Sequence, residues 1–96
     1  MENKELIISK ADLIKSISNP VRLCIVKKLT ENETCNVRYL TNCMDISQSG
    51  ISQHLGKLRD LGILGYNKEG QNVNYYIKNN EIKKIINVLF EEEENE

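Results

Sequence analysis

Aromatic side chains are scarce in this sequence of 96 residues, which has no tryptophan, one phenylalanine and four tyrosines. Histidine and proline occur once each, as His54 and Pro20. With one histidine, no glycine-rich loop to cradle phosphates, and the clustered glutamates lying in a terminal run, no nucleophile–base–acid set can be assembled. The chain therefore reads as something other than an enzyme, and no cofactor is expected. No stretch approaches the ~18 apolar residues a membrane span needs, and Met1 to Glu5 have no basic flank leading into an apolar region. Neither membrane nor export is expected. Cysteine is present three times, at positions 24, 35 and 43. An odd number without paired spacing suits reduced thiols in the cytoplasm better than a disulfide framework.

The length suits a single domain over residues 1–96, since two separate cores would each be too small. A domain this small leaves apolar surface uncovered, and a homodimer that buries a helix from each subunit would cover it. The net charge of −1 seems to disfavour a polyanionic partner, but its distribution matters more. Residues 79–96 hold two lysines against six glutamates, a net of −4. Residues 20–78 hold eight basic side chains against five acidic ones, a net of +3. The body is mildly basic, and residues 91–96 form an acidic tail expected to be disordered, there to solubilise the protein or to oppose nonspecific binding of a polyanion.

Residues 6–18 place Ile7, Ala11, Ile14 and Ser18 on one side, with Leu6, Leu13 and Ile17 beside them, a first amphipathic helix. Asn19-Pro20 ends it and opens a second, reaching about Thr30, whose apolar residues surround most of its circumference. Asn36 can cap a short helix containing Val37, Leu40 and Met44, followed by a break at Asp45-Ile46. Ser47 can cap a fourth helix to about Leu61, with Gly62 placed to terminate it. The period then changes. Leu64, Tyr66 and Lys68 alternate up to Glu69-Gly70-Gln71-Asn72, and Val73, Tyr75 and Ile77 alternate on the return, which is a β-hairpin. Ile82, Ile85, Ile86, Leu89 and Phe90 recur at helical spacing over residues 80–90.

The fourth helix carries the function. Ile51, Leu55 and Leu58 share one side of it, while Ser49, Ser52, Gln53, Gly56 and Lys57 occupy the other, flanked by Gln48 and His54. Such a face has short donors and acceptors, one cation and no carboxylate, and so can approach base edges and phosphates closely. A solvated face would look the same in isolation. Here, however, a short helix precedes it across a tight turn, and a hairpin follows whose Lys68, Gln71, Asn72 and Asn74 sit where a wing would reach the DNA backbone. The fold expected is mainly α with a β-hairpin wing: a winged helix-turn-helix of four helices, two strands and a final helix.

Three segments, Asn19-Pro20-Val21-Arg22-Leu23, Ser47-Gln48-Ser49 through Ser52-Gln53-His54-Leu55, and Leu58-Arg59 through Leu61-Gly62-Ile63-Leu64, resemble the ArsR (ArsR/SmtB) family of bacterial repressors. The wing residues Lys68-Glu69-Gly70 and Tyr75-Tyr76 match as well, so the resemblance covers about residues 11–90. It is closest to the branch without metal sites, that of PagR-like and HlyU-like regulators. The resemblance implies a homodimer joined through first and last helices, repression from a palindromic operator on double-stranded DNA, and in many members an inducer, here unknown. Ser49, Ser52 and Gln53 would read the major groove, and Arg22, Ser47, Gln48, His54, Lys57, Lys68, Gln71 and Asn72 would hold the surrounding DNA. Ile7, Ile14, Ile17, Ile82, Ile85, Ile86, Leu89 and Phe90 would form the dimer interface, within dimerisation helices at 6–18 and 80–90.

The family's arsenic-type site has two cysteines around a valine, and the matching positions are Asn36 and Arg38 beside Val37. Its zinc-type site needs histidine in the last helix, which has none, so no metal is expected. Cys35 and Cys43, if separated by eight helical steps, would lie ~12 Å apart, beyond the ~7 Å limit for a disulfide. Cys24 reads as core, whereas Cys35, near a helix start, is the candidate redox thiol. Two alternatives follow: a redox-responsive repressor acting through Cys35, and a winged-helix protein-interaction module that does not bind DNA.

Overall fold

Polar caps start four of the five helices, three of them at residues the sequence marks as caps. The structure, a computed structural model, describes residues 2–91, so all but the first position of the acidic tail lies outside the described residues. Helix α1 spans Glu2–Ser16. Asn19 Oδ1 accepts from the backbone N–H of Val21 at 2.9 Å and of Arg22 at 3.2 Å, and Pro20 opens α2, Pro20–Glu31. Asn36 Oδ1 accepts from Tyr39 N–H at 2.8 Å and starts α3, Val37–Leu40. Ser47 Oγ accepts from Gly50 N–H at 3.1 Å and starts α4, Gln48–Asp60. Asn79 Oδ1 accepts from Ile82 N–H at 3.1 Å and starts α5, Asn80–Leu89. Each cap satisfies donors that the helix itself leaves unpaired.

After α4, Gly62 takes φ +79 and turns the chain into the hairpin of β2 (Leu64–Glu69) and β3 (Asn72–Ile77). The strands pair antiparallel from Leu64 opposite Ile77 to Glu69 opposite Asn72. Gly70, at φ +61, opens the two-residue loop between them, which is where a type II′ turn requires glycine. A third strand, β1 (Cys35–Asn36), was not visible in the sequence: it pairs with β3 opposite Tyr75 and Asn74 and makes the sheet three-stranded, in the order β1-β3-β2. Two residues are too few to show alternation.

The core lies between α2, α4, α5 and the root of the hairpin. Ile25 and Val26 of α2, Leu40 of α3, Ile51, Leu55 and Leu58 of α4, and Ile82 of α5 have no exposed surface. Leu29, Ile63, Leu64, Ile77 and Ile86 complete it. Helix α1 stands apart, burying Ile17 in the turn beyond it and half-burying Leu13 while leaving Leu6, Ile7, Ile8 and Ile14 exposed.

Three boundaries differ from expectation. Helix α1 begins earlier than residue 6 and ends at Ser16 instead of 18, because Asn19 must be extended (φ −160, ψ 134) to cap α2 before a proline. The chain bridges the gap with tight turns, Ile17 N–H to Ile14 O and Ser18 N–H to Lys15 O. Helix α3 stops at Leu40 and excludes Met44, which is exposed and left-handed at φ 51, where it reverses the chain toward α4. Ile17, Ile82 and Ile86, expected at the dimer interface, are at most 4% exposed and belong to the subunit's own core, with no area left to give a partner.

Leu55→Ala should cost about 2–5 kcal/mol of stability in denaturant titration, because the site cannot collapse around the lost methyls. Asn79→Ala, which removes a cap but no core, should cost about 1 kcal/mol.

Candidate nucleic-acid interface

Burying Ile51, Leu55 and Leu58 fixes the rotation of α4, and the opposite face is thereby exposed. Gln48, Ser49, Ser52, Gln53 and Lys57 all project from the molecule there, with Gly56 half-buried among them. Glycine at 56 leaves open space beside the helix, with no atom within 4 Å of where a Cβ would stand, so the ridge stays low. Gly50 has the opposite reason for its size: a Cβ would approach Ile46 Cγ1 to 2.6 Å, so the helix start sits hard against the preceding turn. At the start of the ridge, Ser47 Oγ and Ser49 Oγ share a hydrogen bond of 3.1 Å. Beside α4, the hairpin exposes Lys68, Gln71 and Asn72 at its tip, with Asn74 half-buried behind.

Arg22 and His54 differ from the simple phosphate contacts expected. Arg22 Nε donates to His54 Nδ1 at 3.0 Å, and its Nη1 donates to the Ser16 carbonyl at 3.2 Å. One side chain thus ties the end of α1, the start of α2 and the middle of α4 together. Since Nδ1 accepts, the neutral ring carries its proton on Nε2, where it can donate outward. Burial, and after it the adjacent Arg22 guanidinium, lower the His54 pKa below the ordinary histidine value.

A helix-turn-helix whose second helix exposes a ridge of Gln48, Ser49, Ser52, Gln53 and Lys57, with no carboxylate in it, and an adjoining wing are now in place, and known proteins share them. The model for the bacterial regulatory proteins of the arsR family matches residues 19–66. The transcriptional repressor PagR of Bacillus anthracis is 35% identical over 79 residues, 82% of this chain and 79% of PagR. The transcriptional activator HlyU of Vibrio cholerae is 39% identical over 77 residues, 80% of this chain and 70% of HlyU. The solved structure of HlyU from Vibrio cholerae N16961 superposes with a TM-score of 0.84 at 33% identity, covering 92% of this chain and 95% of that one. The crystal structure of PagR gives 0.77 at 33% identity, covering 88% and 97%. The chain belongs to the ArsR family. It is a DNA-binding transcriptional regulator with a winged helix-turn-helix fold, and not an enzyme.

The positions of this ArsR-family chain that match the arsenic-type cysteines carry a capping amide, Asn36, and a guanidinium, Arg38. Neither is a ligand for a soft metal. Cys35 also departs from expectation. It is 5% exposed, in β1 against the core, and burial raises its pKa, with Lys28 opposing and Glu31 adding to the effect. Proximity to α3 does not activate it, because α3 has only four residues and desolvation dominates. Cys43 is wholly buried and pushed up to about 12, by burial first and then by its hydrogen bond with Cys24. That contact joins α2 to the turn after α3, and no spacing in the sequence announces it.

A depressed histidine pKa means the unfolded chain binds the proton more readily. The stability tied to neutral His54 is therefore fully present above the unfolded value of about 6.5 and is lost as pH falls from there through the lower folded value. Melting temperature should drop more steeply over that acidic window in the native protein than in His54→Gln, whose amide does not titrate. Cys35 should resist iodoacetamide at neutral pH in the folded protein and react once it is unfolded, as read by peptide mass spectrometry.

Proposed function

We propose that this regulator is a homodimeric repressor that sits on a palindromic operator in the cytoplasm, with Ser49, Ser52 and Gln53 of each subunit reading base edges in the major groove. The observation that carries the reading is the outward ridge of α4, held from behind by three side chains with no exposed surface. Amide and hydroxyl groups on a helix of that orientation match the donors and acceptors of the major groove, Gln53 being suited to adenine. Ser47, Gln48, Lys57, Lys68, Gln71 and Asn72 surround the ridge and supply phosphate contacts. Arg22 is mainly a brace in this reading, with one guanidinium nitrogen left to meet the backbone.

The dimer rests on the apolar side chains that the subunit leaves uncovered. Ile7 and Ile14 of α1 and Leu89 of α5 remain from the expected set, joined by Leu6, Ile8 and Val88, with Ile7 at 65% and Val88 at 68% exposure. Ile85 and Phe90 are half-buried at the edge of this face. Complete burial of one such side chain contributes roughly 1.5–3 kcal/mol, so pairing two copies along α1 and α5 would cover a substantial cost. Two-fold symmetry would place the two ridges on half-sites about one helical turn apart, or a multiple of it. Repression requires only that the dimer occlude a promoter, whereas activation requires a further surface that recruits polymerase. An inducer would act by altering the relative placement of the two ridges.

The duplex upstream of the protein's own gene, compared with random duplex by fluorescence anisotropy, tests the reading. Gln53→Ala should reduce discrimination between them by ~1–3 kcal/mol while random-duplex affinity holds. Equal losses on both would remove Gln53 from base reading. In sedimentation equilibrium the native chain should be a dimer, and Ile7→Glu combined with Ile14→Glu should yield a folded monomer.

A further inference from the structure

Of the three arginines, Arg22 is engaged with His54 and Ser16, and Arg59 lies 3.8 Å from Asp60 and over the Tyr66 ring. Arg38 is different. It is exposed, and its guanidinium has no hydrogen-bond or ionic partner among the described residues. It lines a cleft of about 290 Å³ between α3, the start of α4 and the tip of the wing. The other polar side chains of that cleft include Gln48, Gln71 and Asn72, all exposed and equally without side-chain partners, while Val37 and Val73 lie at its base. No carboxylate lines it; Glu69, opposite Asn72 in the β-ladder, is outside its walls.

Topology explains why these residues meet. The short strand β1 pairs Asn36 with Asn74 of β3, so α3, which starts at the next residue, is held beside the wing. The two-residue loop then folds Gln71 and Asn72 back toward Arg38. Gln48 is the first residue of the 13-residue α4, whose N-terminal end favours negative charge.

We infer that Arg38, Gln48, Gln71 and Asn72 form a clamp for one phosphodiester of duplex DNA, at the point where the strand crosses from the recognition helix to the wing. The inference rests on the DNA-binding function and adds a site to it. A guanidinium offers a planar fork of donors that matches two phosphate oxygens, and the amides offer further donors from either side. A site with one cation and neutral donors, open on one side, fits an anion that is carried on a polymer and cannot itself be engulfed. Because phosphate is identical at every step, the clamp fixes register without reading sequence. Free inorganic phosphate has the same chemistry and would occupy the site weakly.

The test is anisotropy over a salt series with a random-sequence duplex and with the upstream duplex, for the native chain, Arg38→Ala and Arg38→Lys. Thermal melts would confirm that each is folded. Arg38→Ala should weaken both duplexes by the same factor and lower the slope of log affinity against log salt by about 1. Arg38→Lys should keep the slope but bind less tightly than the native chain, since a point charge lacks the fork. Millimolar inorganic phosphate at constant ionic strength should compete with the native chain more than with Arg38→Ala. A folded Arg38→Ala with native affinity and slope would overturn the clamp while leaving DNA binding intact, and a loss confined to the upstream duplex would turn Arg38 into a base reader. Failure of the native chain to bind either duplex would remove the function on which the clamp rests.

Discussion

Burial of Ile51, Leu55 and Leu58 is the constraint on which the rest of this molecule depends. A helix presented to DNA must keep a constant rotation about its own axis, and a polar face cannot fix that rotation by itself. Three side chains at helical spacing, each without exposed surface, do so against Ile25, Val26 and the hairpin root. The ridge of Ser49, Ser52 and Gln53 is consequently exposed because of what lies behind it. Gly62 and the caps at Ser47 and Asn79 then fix where α4, the wing and α5 begin.

A second tie acts across helices. Arg22 reaches from α2 to His54 on α4 and to the carbonyl of Ser16, so the recognition helix is linked to the helix that carries the uncovered apolar face. In an oligomer built on that face, the link would transmit the position of one element to the other. Arg38 belongs to a different arrangement: it is held near the wing by the β1–β3 pairing and is not engaged internally. Two arginines sixteen positions apart therefore serve different ends, one spent inside the fold and one left for a partner.

Much of this was legible beforehand. Caps and periodicity are local, and Asn19-Pro20, Asn36 and Ser47 start their helices in the structure as read from the sequence. The hairpin alternation and the turn at Gly70 were equally local. The errors arose where a residue's fate depended on distant ones. Ile82 and Ile86 share a stripe with Leu89, and periodicity cannot say which part of a stripe meets the subunit's own core and which part is left over. Cys35 lies beside a helix start, but its chemistry is set by the core it faces through β1.

What the chain determines without reference to its folded form is the order of elements, their starting points and the polar composition of the recognition face, because capping, turn chemistry and period act over a few residues. Only the tertiary structure decided that β1 completes the sheet, that His54 answers to Arg22, that Cys24 meets Cys43, and that Arg38 stands in a cleft with the wing. Each of these joins residues far apart in sequence. Such contacts form only when burial of the shared core brings the elements together, and no local pattern records them.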